Sequence, residues 1–187
     1  MAAEGGLALT QSTPEWPAFK DKTVFGQLPH LEGPEGLQVS QSAAIVRVLA
    51  RKAGLEGKGE ADFAVSEMLL EEYSDLLTSL GKCMYPAEGA SKRPELFTAF
   101  FAPGGGSSKH LGHFEKLIGA SGSFTATPTS GELAVCAAIS ILADLEPVAQ
   151  LLAGTPKLAA FWASREAATA KALTGLNAYY TRSGSAE

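Results

Sequence analysis

Between positions 25 and 55 the chain reads FGQLPHLEGPEGLQVSQSAAIVRVLARKAGL. A Leu-Pro step, a Gly-Pro-Glu-Gly turn and a serine-opened helix follow one another with almost no room between them. Residues 24–31 and 37–40 are short apolar runs around Gly33-Pro34-Glu35-Gly36, which predicts two antiparallel strands joined by a tight turn. In the second strand Leu37 and Val39 point one way and Gln38 and Ser40 the other. The helix that follows places Ile45, Val48, Leu49 and Lys52 at helical spacing, so one stripe faces the hairpin. Ser42 has the chemistry of an N-cap, Arg51 and Lys52 suit the negative C-terminal end, and Gly54 stops the helix.

Past Gly54 the pattern is helical only. A polar link at residues 55–58 precedes a long apolar face of Leu69, Tyr73, Leu76, Leu77 and Leu80, ending at Gly81. Residues 95–101 form a second run, cut by Pro103 and a Gly-Gly-Gly-Ser-Ser stretch that reads as a flexible loop. Leu111, Phe114, Leu117 and Ile118 mark a third. Thr129-Ser130-Gly131-Glu132 has the capping-box pattern, in which Thr129 receives the Glu132 amide and the Glu132 carboxylate reaches back. It opens the most apolar helix of the chain, residues 133–143. Pro147 and Pro156 each start a further segment, and Tyr179 and Tyr180 close the last.

Charge narrows the partners. The net charge is -5, and no Lys/Arg stripe supplies the basic footprint that phosphate backbones require. No apolar run reaches the ~18 residues of a membrane span, and the opening MAAEGGLALTQS lacks the pattern of a secretory signal. Cys83 and Cys136 are far apart and outside any CxxC motif, which reads as two free thiols in a reducing, cytoplasmic setting. His110 and His113 have a spacing that could hold metal. With no nearby cysteine or carboxylate pair in sequence, they read as a solvated helix face, and no metal is expected.

Taken together, FGQLPHLE, LQVSQSAAIVRVLARKAGL and EMLLEEYSDL resemble the glutathione S-transferases, nearest the sigma, mu and pi classes. The likeness extends upstream through Glu15-Trp16-Pro17-Ala18-Phe19-Lys20 and downstream through Phe114-Glu115-Lys116 and the capping box. A looser likeness runs through Thr155-Pro156-Lys157-Leu158. The resemblance implies a partial thioredoxin-like α/β unit over residues 1–56 and an all-helical unit over 57–187. It implies a cis Leu28-Pro29 bond, with the Leu28 amide and carbonyl pairing the cysteinyl backbone of glutathione. The mouth of the helix at Ser42, with Gln41, would take the γ-glutamyl carboxylate, since helix N-termini offer unpaired N–H groups and partial positive charge. Trp16 and Lys20 would hold the glycyl carboxylate, with Gln27 beside them. The family's dimer would bring Glu67, here followed by Met68, to the ammonium group of the partner's glutathione.

One part of the family pattern has no counterpart. Leu7-Ala8-Leu9-Thr10 resembles the family's second strand, so a first strand and helix of about 20–25 residues, with the Tyr or Ser that activates the thiol, are not found. That hydroxyl matters because a free thiol, with a pKa of ~8.5, is mostly protonated at neutral pH. No tyrosine precedes Tyr73, and the catalytic group is left unassigned. Two functions stay open. One is a cytoplasmic, homodimeric detoxification enzyme that binds glutathione as co-substrate and adds it to an apolar electrophile seated near Tyr85 and the C-terminal segment. The other is a non-catalytic binding or structural subunit.

Overall fold

The computed structural model describes residues 6–10 and 12–173. The turn anticipated at residues 33–36 forms: the Gly33 amide donates to the Leu37 carbonyl at 2.9 Å, and the Leu37 amide to Pro34 at 3.2 Å. Glu35 (φ 57°) and Gly36 (φ 76°) take the left-handed conformations that reverse the chain. The strands are shorter than their apolar pattern suggests. β1 is His30–Glu32 and β2 is Gln38–Ser40, antiparallel, with His30 opposite Ser40 and Glu32 opposite Gln38. Residues 24–27 do not extend β1. The Thr23 hydroxyl accepts the Gln27 amide at 3.1 Å and donates to the Lys20 carbonyl at 2.9 Å, which curls the segment instead. Residues 7–10, expected as a strand, are irregular. The β1–β2 pair is the only sheet among the described residues, and residues 7–10 are not part of it.

Helix α1, Ser42–Ala53, ends at Gly54 (φ 67°), whose amide reaches the Ala50 and Arg51 carbonyls. This left-handed cap is where glycine is needed. The start is one residue earlier than expected, because Gln41 is the N-cap and Ser42 the first helical residue. α1 lies across both strands; Ala50 is fully buried, while Ile45, Val48 and Leu49 are half-buried.

The core belongs to the helices. α2, Gly59–Met84, and α5, Ser130–Ala143, cross at its centre and bring together Leu69, Leu76, Val135, Ile139 and Leu142, each 0% exposed. A fully buried Leu or Ile contributes about 1.5–3 kcal/mol of transfer free energy. The crossing is close: a Cβ at Gly131 would stand 2.5 Å from the Ser66 carbonyl oxygen and 2.7 Å from Ser66 Cα. Ser66 Oγ accepts the Gly131 amide at 3.0 Å and lies 3.3 Å from Ser130 Oγ.

α3 is Arg93–Phe101 and α4 is Gly106–Leu117. The glycine-serine stretch between them is not a flexible loop. Gly106 and the two serines form the first turn of α4, where a Cβ on Gly106 would lie 2.5 Å from the Phe100 ring, and the Ser107 hydroxyl donates to the Phe100 carbonyl at 3.1 Å. The capping box is half realised. Thr129 Oγ1 accepts the Glu132 amide at 3.4 Å, but the buried Glu132 carboxylate turns to the Phe124 and Thr125 amides at 3.0 and 3.2 Å. Pro147 stands at the N-cap of α6, Val148–Leu151, and Pro156 opens α7, Pro156–Leu173. The Glu115 carboxylate of α4 accepts the Lys157 and Leu158 amides at 3.1 and 2.7 Å. Tyr179 and Tyr180 lie outside the described residues. No described helix is long and apolar enough to cross a membrane.

Candidate functional site

The mouth of α1 is the focus of the small half. The first intrahelical bond runs from the Ile45 amide to the Gln41 carbonyl at 3.0 Å, so the Ser42, Ala43 and Ala44 amides precede the helical ladder. No acidic side chain lies in this first turn, and no side chain caps it. Gln41 holds φ 77° and ψ 122°, a region that L-residues occupy only when their surroundings enforce it. Its side chain leaves the helix and donates from Nε2 to Gln27 Oε1 at 3.2 Å. Two residues singled out in sequence, 14 positions apart, are thus brought into direct contact.

Next to Gln27, the Leu28-Pro29 bond is cis, as expected, and so is Trp16-Pro17. Leu28 is 49% exposed. Lys20 lies along Gly26, where a Cβ would meet its Cε at 3.2 Å. Its position is fixed by a compact turn in which the Phe19 amide donates to Glu15 at 3.0 Å and the Lys20 amide to Pro17 at 2.9 Å. Trp16, on the same turn, is 45% exposed. Behind the mouth His30 Nδ1 lies 3.2 Å from the buried Ser40 hydroxyl, anchoring β1 to the residue before Gln41. Chemically, this is an exposed shelf with anion-accepting amides at one end and a lysine on a neighbouring turn.

Glu67 stands apart from that shelf. It accepts from Arg47 Nε at 2.8 Å, and Arg47 Nη2 also pairs with Glu71. The Glu71 and Glu67 bonds hold the Arg47 guanidinium above its ordinary pKa. Arg47 was not singled out in sequence; the signal was a pair of carboxylates four apart on α2 facing a basic residue of α1. A cavity of about 340 Å³ lies on this flank, lined by Val48, Arg51, Phe63 and Ser130 as well as the Arg47 pair, and not at the α1 mouth. Tyr85, just past α2, is 62% exposed; the C-terminal segment expected to face it lies outside the described residues. Cys83 and Cys136 are free and buried, and burial raises both thiols above their usual pKa.

The two histidines read as solvated are placed differently. His110 is buried, 6% exposed. Both rings turn to one carboxylate of α2, with Nδ1 of His110 at 2.6 Å and Nδ1 of His113 at 2.7 Å from Glu72 Oε1. The carboxylate that sequence spacing could not supply comes from a separate helix, 38 residues before His110.

No protein-family model matches the chain. Among curated proteins it is 36% identical over 111 residues to glutathione S-transferase 1 of Ascaris suum, covering 58% of this chain and 52% of that one. It is 32% identical over 106 residues to probable glutathione S-transferase 6 of Caenorhabditis elegans, covering 56% and 50%. The chain therefore spans about half the length of the curated relatives it matches. The fold agrees: the glutathione S-transferase of Ascaris lumbricoides superposes with a TM-score of 0.74 at 24% identity, over 94% of this chain and 88% of that structure. The small α/β unit is thus a partial thioredoxin-like unit and the remainder the all-helical unit.

Proposed function

From the premise that this chain belongs to the glutathione S-transferase family, we propose that it binds glutathione along the shelf beside α1 and conjugates it to apolar electrophiles. The observation that carries the reading is the α1 mouth. It has three amides ahead of the helical ladder, no acidic group in the first turn, and Gln41 held by Gln27 in a left-handed conformation. The γ-glutamyl carboxylate is an anion suited to those amides and to the Ser42 hydroxyl. Leu28 would pair with the cysteinyl backbone, and Lys20 and Trp16 would take the glycyl carboxylate, Trp16 through its indole N–H. Tyr85 would line the electrophile's side.

Homodimer formation belongs to the same reading. Val24 and Phe25, 50% and 62% exposed, are apolar side chains that such a contact could cover. Glu67 would reach the partner's ammonium group only by loosening its bond to Arg47. Light scattering at micromolar concentration tests this: twice the 19.4 kDa chain mass supports it, and a clean monomer removes Glu67 from the site.

A second reading is a binding subunit without catalysis: the groups brought together at the α1 mouth, the Gln27 and Gln41 side chains and the leading amides, can hold an anion but none of them is a base. Retention on a glutathione-affinity column followed by a conjugation assay separates the two. Retention with turnover supports the enzyme, retention without turnover the binding subunit, and no retention overturns both.

A further inference from the structure

We propose that Glu72, His110 and His113 together bind one divalent transition-metal ion of the Zn²⁺ type, which staples α2 to α4. His110 and His113, three apart on α4, present their Nδ1 atoms from one helix face, and Glu72 meets them from α2. The three donor atoms lie within 4.8 Å of one another. Two imidazoles and one carboxylate are a donor set that suits Zn²⁺, Co²⁺ and Ni²⁺ far better than Mg²⁺ or Ca²⁺. Around a tetrahedral Zn²⁺ such atoms stand about 3.3 Å apart. The 2.6 and 2.7 Å contacts to Glu72 would widen by less than about 1 Å to admit the ion.

A further observation supports a ligand role for His110. Its other nitrogen, Nε2, lies 3.1 Å from the Ser79 hydroxyl on α2. A metal-bound imidazole characteristically donates its far N–H to such a partner, which fixes ring and tautomer. A hydroxyl can donate or accept, so Ser79 serves His110 both with the ion and without it. Without the ion, Nδ1 can donate to Glu72 while Nε2 accepts from the Ser79 hydroxyl. With it, the Nδ1 lone pair faces the metal and Nε2–H donates to Ser79.

Access is also provided. The side chains of His110 and Glu72 are 8% and 19% exposed, whereas that of His113 is 38% exposed, leaving a side open for entry and for water as the remaining ligand. Glu72 points away from the Glu67–Arg47–Glu71 group, since neighbouring helical positions are turned by about 100°. The site is thus independent of the glutathione reading, and its role is to fasten two helices of the bundle.

The test uses the full, tag-free chain freed of metal and titrated with Co²⁺ as a visible probe, then with Zn²⁺ as competitor. One equivalent of Co²⁺ should give d–d bands, Zn²⁺ should abolish them, and Zn²⁺ should raise the melting temperature above that in chelator. His113→Ala, at a half-exposed position, should lower affinity at least about a hundred-fold, beyond the 10–100-fold typical of losing an outer partner. Ser79→Ala should fall within that 10–100-fold range. Glu72→Gln should weaken Co²⁺ binding while keeping the side-chain volume, and circular dichroism checks that each variant is folded. No Co²⁺ bands in the wild type, or bands that persist unchanged in His113→Ala, would overturn the proposal.

Discussion

Substituting Gly131 with alanine tests the packing that organises the helical half. The added Cβ would lie 2.5 Å from the Ser66 carbonyl oxygen, 2.7 Å from Ser66 Cα and 3.0 Å from Leu69 Cβ. The first two are main-chain atoms, so no rotamer change relieves the clash; α2 and α5 must separate. Separation also stretches the Gly131–Ser66 bond of 3.0 Å and disturbs Val135 and Ile139, which are fully buried at the same interface. Overpacking of this kind costs about 1–3 kcal/mol. Alanine's better helix propensity returns at most about 1 kcal/mol, and less in the first turn. A net loss of about 1–2 kcal/mol lowers Tm by about 2–8 °C in a chain of this size. Gly112, inside α4, is the internal control, because a Cβ there meets nothing within 4 Å. Gly112→Ala should raise Tm by about 1–4 °C, from the roughly 0.5–1 kcal/mol that helical glycine forfeits. Thermal unfolding by circular dichroism reads both. A Gly131→Ala chain that melts at or above the wild type would refute the close crossing.

Other outcomes concern the site and the solvent. Ser42→Ala should weaken glutathione binding by about 1–3 kcal/mol, the range for a hydrogen bond to a charged group; unchanged affinity by calorimetry would reduce Ser42 to a helix residue. Lys20→Ala should cost less than about 1 kcal/mol, as solvent-facing ion pairs do, in the same titration. Asp62 accepts the Ala126 and Lys58 amides at 3.2 Å each, which with the Thr127 hydroxyl holds its carboxyl below the usual 3.8. Its charged form is favoured in the folded chain, so its contribution is full above the ordinary value and lost as pH falls through the lowered one. Melting curves between roughly pH 5 and pH 2 should therefore show a shallower acid limb in Asp62→Asn. Cys83 and Cys136, with raised thiol pKa values and little exposure, should react with a thiol reagent far more slowly in the native chain than in denaturant.

Features that arise within a few residues were legible in the sequence. The turn at residues 33–36, the Gly54 stop, the Thr129 cap and the strongly apolar character of α5 all follow from local chemistry and periodicity. Features that depend on what lies opposite were not. The apolar character of residues 24–27 could not reveal that the Thr23 hydroxyl would curl them. The glycine-serine stretch looked loose because nothing local shows that Phe100 packs against Gly106. Glu132 carried the capping-box pattern, yet two buried amides at Phe124 and Thr125 claimed its carboxylate. The shelf residues Gln27, Gln41 and Ser42 were named from resemblance, and the Gln27–Gln41 contact gives part of that set a shared location. The His110–His113 pair lacked its meaning until α2 supplied Glu72.

The central claim is that the α1 mouth receives the γ-glutamyl carboxylate of glutathione. A ¹H–¹⁵N correlation spectrum of the 19.4 kDa chain, followed during titration with glutathione, addresses it most directly. The account predicts saturable shifts concentrated on the amides of Gln41, Ser42, Ala43 and Leu28, reduced in Ser42→Ala. Saturation with shifts confined to other segments, or no shift at millimolar glutathione, would contradict it.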